Sequence, residues 1–343
     1  MDRKLKVLIF GHKIFSMDMH WGFLEAGHDA RFIQPASKDV LDAALKEYGP
    51  DVLLTLGPPL ELKREVCELI GARRPAEYKH IHWDTDGVSS RIYLSHSGDG
   101  IEMDLIYRTK PDLVLTMCPE MLEFIRGKGF ICEYMPYAYS PISHRPLPGY
   151  DNSSDLISLI GNSYREFSRF CQSHFRYKSI DILLKPLLEN GYAVQFYGDR
   201  GYRELIKERF GIDVPSACFH GYLPYEKTCA VYNSSFVNLV TQNHEHTITK
   251  RTFEILGSGG FALSADNSEI RKLFVPGRDL VVSSSPEQTL ELVRYYKEHP
   301  DEWRQIRENA VLSVQNHTYK QRAEFIVSKY RELWPEKQGQ RGL

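Results

Sequence analysis

The chain has 343 residues, which is enough for two domains at the usual size of about 100–200 residues each. It is 42% hydrophobic and 26% charged, as in ordinary globular proteins with an apolar core. The net charge of −2 excludes the strongly basic surface of a dedicated nucleic-acid-binding protein. No apolar run approaches the roughly 18 residues of a transmembrane helix, and the N-terminal run is too short for a signal-peptide core. We therefore expect a cytoplasmic protein.

Short apolar runs alternate with helical patterns through the first half of the chain. Four of these runs predict strands, at Lys6–Phe10, Asp51–Leu56, His80–Trp83 and Leu113–Met117. Continuous apolar strands separated by helices are typical of a parallel sheet that is covered on both faces. The sequence therefore predicts an N-terminal α/β domain over residues 1–140.

The pattern is then interrupted and restarts. Residues 136–154 contain four prolines and an Asn-Ser-Ser cluster, which is typical of a linker between domains, and we assign the linker to residues 141–154. Further strands are predicted at Leu156–Ile160, Ala193–Tyr197, Phe236–Val240 and Phe261–Ser264, and helices from Ser285 to Trp334. They define a second α/β domain over residues 155–330, with a tail at 331–343. Two parallel sheets facing each other enclose a cleft at the carboxyl ends of their strands.

The segment Thr247–Ala265 carries the strongest sign of chemistry. Thr249 is a predicted N-cap, which places Lys250 and Arg251 at the positive end of a helix dipole. Two adjacent cations are unfavourable there, and a bound anion would compensate, since helix amides with Lys and Arg form phosphate sites. Glu254 shares their helical face and could accept hydrogen bonds from a ribose. The alternative is an exposed helix with intrahelical salt bridges.

Other nucleotide motifs are absent or misplaced. The glycines of Gly257–Gly260 follow their helix, so we interpret them as a helix C-cap and a turn into the next strand. There is no Walker lysine and no GxGxxG after the first strand, so the sequence does not favour an ATPase or an NAD-dependent enzyme.

Asp84 and Asp86 form a D-x-D pair after the predicted strand His80–Trp83. The pair could bind a nucleotide diphosphate through a metal, or supply a general base for an acceptor. It could also be a solvated turn, because Asp favours turns before glycine.

Several histidines could supply a base or a metal ligand. His12 and His20 follow the first strand, and residues 244–246 read His-Glu-His. Paired histidines without further acids are weak signs of a metal site. The six cysteines include no CxxC motif, so we expect no metal site.

The stretch from Asp155 to about Tyr330 resembles the C-terminal domain of GT-B glycosyltransferases, specifically the CgeB spore maturation group of bacteria. The matching pieces, in order, are LISLIGNSYREFSR, VQFYGDRGY, FHGYLPYEKTCAVYNSSFVNL, TKRTFEILGSGGFALS, LFVPGRDLVV and NHTYKQR. The N-terminal half fits more loosely, through HWDTDG and the linker YMPYAYSPISHRP. The resemblance implies an α/β fold with two Rossmann-like domains facing a cleft, and a helical C-terminal tail.

The resemblance also implies a function. The enzyme would be a hexosyltransferase that moves a sugar from a nucleotide-diphosphate donor, with a UDP-sugar expected, to the hydroxyl of an acceptor that the sequence does not identify. Within the donor site it implies Gly161 and Asn162 beside the diphosphate, Gly221 and Tyr222 beside the base, Lys250 and Arg251 on the pyrophosphate, and Glu254 on the ribose. No cofactor is required, because fixed cations and helix amides neutralise the leaving group without a metal.

Three matters stay open at this stage. On the acceptor side, Asp84 is the first candidate and Asp86 the second. Many retaining GT-B enzymes carry a glutamate where this chain has His246, so the stereochemical outcome is not predicted. The alternatives to glycosyl transfer are a nucleotide-sugar epimerase or hydrolase of the same fold, or a non-catalytic sugar-nucleotide-binding protein of the spore coat.

Overall fold

The structure, a computed structural model, describes residues 3–57, 63–73, 77–85, 99–149 and 155–335. Over these residues the chain forms two parallel six-stranded sheets with flanking helices. Asp86 lies outside the described residues.

The first sheet has the strand order β2-β1-β3-β4-β5-β6. Its strands are β1 (Lys6–Gly11), β2 (Asp29–Ile33), β3 (Val52–Leu56), β4 (Lys79–Asp84), β5 (Leu113–Thr116) and β6 (Cys132–Tyr134). Its helices are α1 (Lys13–Glu25), α2 (Lys38–Tyr48), α3 (Arg64–Gly71), α4 (Ile101–Thr109) and α5 (Pro119–Gly127).

The second sheet has the order β12-β11-β10-β7-β8-β9. Its strands are β7 (Ile157–Ile160), β8 (Val194–Tyr197), β9 (Phe219–Gly221), β10 (Val237–Val240), β11 (Ala262–Ala265) and β12 (Val281–Ser283). The helices are α6 (Arg165–Phe170), α7 (Phe175–Leu183), α8 (Lys185–Glu189), α9 (Gly201–Phe210), α10 (Tyr225–Ser234), α11 (Lys250–Gly257), α12 (Ser268–Leu273), α13 (Pro286–Glu298), α14 (Pro300–Ser313) and α15 (Tyr319–Leu333).

Apolar burial explains the centre of each sheet. Strands β3, β5, β7, β10 and β11 are buried along their whole length, because helices shield their valine, leucine and isoleucine side chains from water. All eight strands that the sequence predicts are confirmed, within one or two residues at each end.

The last helix returns to the first sheet. Helix α15 packs on α1. Gly22 of α1 lies at this contact, and a Cβ atom at that position would clash with the carbonyl oxygen of Tyr319. Arg322 of α15 is buried and donates hydrogen bonds to the carbonyls of Pro136 and Tyr137, at 2.8 and 2.7 Å. The C-terminal helix, which follows the helices of the second sheet along the chain, therefore packs on the first domain.

The predicted linker packs against the second sheet's helices. The imidazole of buried His144 lies 2.9 Å from the hydroxyl of Thr228 on α10, and the amide of Leu147 donates to Asn233 at 2.9 Å. Residues 150–154 lie outside the described part of the chain. None of the described helices is both long and apolar enough to cross a membrane.

Candidate active site

A cavity of about 350 Å³ opens between the carboxyl ends of the two sheets. Its first wall includes His12 and Phe15, which follow β1, and Thr85, which follows β4. The opposite wall includes Gly161, which follows β7, and Arg251 at the start of α11. The carboxyl ends of parallel strands are where such sheets bind ligands, so the cavity lies where the sequence predicts a cleft.

Helix α11 presents an open N-terminus to this cavity. Thr249 is its N-cap, as predicted, with extended backbone angles (φ −77°, ψ 148°), but its side chain caps no amide of the helix. Among the described residues, no acceptor bonds the amides of Lys250 and Arg251. Unbonded first-turn amides with the positive end of the dipole form a binding site for an anion.

Lys250 is neutralised by carboxylates instead of facing the cavity alone. Its Nζ lies 2.9 Å from Oδ2 of Asp18 on α1 and pairs with Oε1 of Glu254, one helical turn further along α11. The hydroxyl of Tyr225 accepts from Lys250 and lies 2.8 Å from Asp18 Oδ2 and 3.0 Å from Glu254 Oε1. We call Asp18, Tyr225, Lys250 and Glu254 the interdomain cluster.

The pKa values within the interdomain cluster follow from burial and from the charge of Lys250. Burial raises the pKa of Asp18, more than Lys250 lowers it. Burial also raises the pKa of Glu254, but Lys250 and His144 outweigh it and bring that pKa to about 2. Burial lowers the pKa of Lys250, and the two carboxylates reverse this and leave it raised. Glu254 is therefore ionised at neutral pH and Lys250 is its counter-ion.

The interdomain cluster changes the expected role of Lys250. The side-chain exposures of Lys250 and Glu254 are only 11% and 8%, so α11 is not the exposed helix of the alternative interpretation. The intrahelical ion pair of that interpretation is nevertheless present. The ammonium of Lys250 pairs with two carboxylates, those of Asp18 and Glu254. The resemblance implies instead that this ammonium contacts the pyrophosphate directly.

Arg251 keeps its charge available to the cavity. Among the described residues, no carboxylate lies within the 4.0 Å ion-pair distance of its guanidinium. The guanidinium packs against Gly161, where a Cβ would clash with Nη2. Gly161 also has a backbone φ of +141°, which residues with a side chain rarely adopt. Gly161, Asn162 and Arg251 line the same wall of the cavity, where the resemblance implies a diphosphate.

Arg176, which the sequence reasoning missed, lies on the same wall. It occupies the first turn of α7 and is only 5% exposed. It donates to the carbonyl of Asn162 and to Oδ1 of Asn243, the latter at 2.7 Å, while its Nε has no partner within the described ranges. No described carboxylate lies within 4.0 Å of it either. A buried cation without a counter-ion is costly, so Arg176 indicates a bound anion. The sequence contains the same signal at Arg176 as at Lys250, namely a cation in the first turn of a helix.

Of the remaining donor-side residues, Glu254 and Tyr222 line the cavity, whereas Gly221 does not. Glu254 lines it, and only Oε1 of its carboxylate has hydrogen-bond partners among the described residues, so Oε2 can accept from a ligand. Gly221 has φ of +72°, and the following Tyr222 lines the cavity with 78% of its surface exposed. An exposed aromatic ring beside a cavity can stack on a base or a sugar.

The acceptor-side candidates are arranged differently from each other. Asp84 is fully buried at the end of β4, where its Oδ2 accepts a hydrogen bond from Thr116 at 2.7 Å, and the cavity wall contains the next residue, Thr85. His12 lines the cavity, and its buried Nδ1 has no hydrogen-bond partner among the residues that the structure describes. His20 instead packs edge-on against Phe32 at 5.4 Å and is not part of the wall.

The His-Glu-His segment lies at the rim between the domains. The ring of His246 contacts Ser268 at 2.8 Å and lies 3.6 Å from a carboxylate oxygen of Glu120 on α5. In the part of the chain that the structure describes, no group of three or more His, Cys, Asp or Glu side chains is placed to hold a metal ion.

The chain resembles known proteins in part of its sequence and in its fold. Residues 177–328 match the family model described as glycosyl transferase-like. A sucrose-phosphate synthase from Thermosynechococcus elongatus aligns with a TM-score of 0.67 at 13% identity, covering 98% of this chain and 100% of that one. HepE of Anabaena, solved with UDP-glucose, aligns with a TM-score of 0.64 at 12% identity, covering 95% and 100%. AviGT4, a glycosyltransferase of avilamycin A biosynthesis, aligns with a TM-score of 0.56 at 15% identity, covering 96% and 98%.

The chain therefore has the fold of GT-B glycosyltransferases, and its residues 177–328 match a glycosyl transferase-like domain. The matched model describes a broad family, so the narrower CgeB group stays a prediction. A comparison with curated protein sequences finds no match.

Proposed function

We propose that the protein transfers a hexose from a UDP-sugar to an acceptor hydroxyl, with residues 155–330 as the donor domain and residues 1–140 as the acceptor domain. The observation that carries the proposal is the pair Arg176 and Arg251. Both guanidinium groups lie on one wall of the cavity, beside the open N-terminus of α11, and neither has a carboxylate partner in the part of the chain that the structure describes. That arrangement suits a diphosphate, and HepE, a protein of the same fold, was solved with UDP-glucose.

The chemistry follows from where charge develops. As the bond from the anomeric carbon to the diphosphate breaks, negative charge grows on the departing phosphate oxygens. Arg176, Arg251 and the amides of α11 are held in place before the reaction and stabilise that charge without reorganising. We propose that Oε2 of Glu254 accepts from the ribose and that Tyr222 contacts the base.

The acceptor hydroxyl must lose a proton as it attacks the anomeric carbon. A general base must come within hydrogen-bond reach of that proton. We propose His12 for this role, because its ring lies on the cavity wall and makes no hydrogen bond with the described part of the chain. Asp84, the first candidate from the sequence, is the alternative that the same kinetic experiment tests.

The proposal as a whole is tested by product analysis with UDP-glucose and a panel of hydroxyl acceptors. We expect UDP release that depends on the acceptor, together with a glycosylated product. Equal UDP release without any acceptor would identify a hydrolase, and a sugar isomerised on intact donor would identify an epimerase. Donor binding with no turnover on the whole panel would identify a binding protein.

Arg251→Ala is expected to weaken UDP binding by about 10–150-fold, because a hydrogen bond to a charged group contributes about 1.5–3 kcal/mol. Isothermal titration calorimetry with UDP measures the change. Arg304→Ala is the matched control, since Arg304 is an exposed arginine on α14, outside the cavity wall. Equal UDP affinity in wild type and Arg251→Ala would remove Arg251 from the donor site.

Turnover is expected to persist in excess EDTA, because the two arginines and the helix amides already supply the positive charge that a divalent cation would add. Initial rates before and after chelation, with and without added Mn²⁺ or Mg²⁺, measure this. Complete loss of activity that either metal restores would contradict the proposal of metal-independent transfer.

A further inference from the structure

We infer that Asp18 is a positioning residue that holds the ribose-binding carboxylate of Glu254 from the opposite domain. This inference rests on the proposed function of Glu254. Asp18 lies on α1 of the first domain and is 3% exposed, whereas Tyr225, Lys250 and Glu254 all belong to the second. No role for this position follows from the sequence pattern or from the resemblance.

The contacts pass from Asp18 to Glu254 through one ammonium and one hydroxyl, and the hydroxyl has a single proton to donate to either carboxylate. Asp18 Oδ2 lies 2.9 Å from Lys250 Nζ and 2.8 Å from the hydroxyl of Tyr225. The same ammonium and the same hydroxyl both contact Oε1 of Glu254. One oxygen of Glu254 is thus held by groups that Asp18 orients, and Oε2 remains for the ligand.

Asp18 also determines where the charge of Lys250 is located. Lysine has a long flexible side chain, and the open N-terminus of α11 lies beside it. The Asp18 carboxylate keeps the ammonium within the interdomain cluster, against the ring of Tyr225 at 4.4 Å. Removing the contact between Asp18 and Lys250 would release the ammonium, which is one of the two groups that orient Glu254.

The same helix serves both substrates. His12 and Phe15, on the acceptor wall, lie just before α1 and in its first turn, and Asp18 is less than one further turn along. Helix α1 is held from behind by α15. The donor ribose, through Glu254 and the interdomain cluster, is therefore linked to helix α1, which also forms part of the acceptor wall.

The test compares UDP with 2′,3′-dideoxy-UDP, which lacks both ribose hydroxyls. We expect Asp18→Asn to weaken UDP binding by about 2–10-fold, the net value of one hydrogen bond, and to leave dideoxy-UDP binding unchanged. In the double variant with Glu254→Gln, the two losses should not add, because both act on one contact. In kinetics the variant should raise the donor KM more than it lowers kcat.

Asp279→Asn is the matched control, because Asp279 is an equally buried aspartate that pairs with Arg278 away from the cavity. Thermal melting shows whether Asp18→Asn is folded. If it is not, Tyr225→Phe removes the hydroxyl that lies between Asp18 and Glu254 and keeps the aromatic ring. This variant should show the same selective loss of UDP binding. Equal losses for UDP and dideoxy-UDP, or additive losses in the double variant, would overturn the role of Asp18. Failure of the wild type to prefer UDP over dideoxy-UDP would instead overturn the ribose contact of Glu254.

Discussion

His12→Gln is expected to lower kcat by about 10²–10⁴-fold, the usual contribution of a general base, while the affinity for UDP stays nearly unchanged. The physical reason is location. The imidazole of His12 lies on the acceptor wall, across the cavity from Arg251, and no described residue forms a hydrogen bond with it. Glutamine keeps a polar side chain at the wall but cannot take a proton. Steady-state turnover and calorimetric titration with UDP separate the two effects.

Two variants accompany this measurement. His20→Gln removes the other histidine near the start of α1, which packs on Phe32 outside the cavity wall, and turnover should be retained. Asp84→Asn tests the carboxylate at the end of β4. If Asp84→Asn loses turnover by 10²-fold or more and His12→Gln does not, the base is Asp84, and its buried carboxylate must become accessible when substrates bind.

Glu254→Gln is expected to weaken UDP binding by about 10–150-fold, because an amide accepts weaker hydrogen bonds than a carboxylate and leaves Lys250 without its intrahelical partner. The change in kcat at saturating donor should be smaller than the change in affinity. Calorimetry with UDP measures the loss, and Glu324→Gln, an exposed glutamate on α15, is the control.

The combined pattern tests which domain binds which substrate. Glu254 belongs to the second sheet's helices, whereas His12 follows β1 and Asp84 ends β4 in the first sheet. If the first-sheet variants abolished UDP binding and Glu254→Gln left it intact, the assignment of the donor to residues 155–330 would be reversed.

The interdomain cluster gives these variants different expected consequences. Lys250 serves two carboxylates, so its removal should disturb Glu254 and Asp18 together, whereas Arg251 and Arg176 serve no described carboxylate. A lysine within hydrogen-bond reach of two carboxylates organises them, and an arginine without a counter-ion is the better candidate for a phosphate ligand. The two cations that the sequence treats as equivalent thus have separate roles in our proposal.

The sequence by itself predicted the centre of both sheets and the start of α11. Central strands are buried on both faces, and this burial requires a continuous apolar run that is visible in the sequence. The four strands it missed, β2, β6, β9 and β12, are the edges of the two sheets. Edge strands are short or partly exposed, so they need no such run: β2 includes an exposed arginine, and β6, β9 and β12 have three residues each.

Only the tertiary structure decided which charges remain for a ligand. The local sequence correctly placed Lys250 and Glu254 on one helical face, because helical spacing is a local property. It could not show that Asp18, more than two hundred residues earlier, would occupy Lys250, or that Arg176 would face the cavity beside Arg251. Whether a charge is available depends on its partners across the fold, and those partners meet only when α1 and α11 pack at the same edge of the cleft.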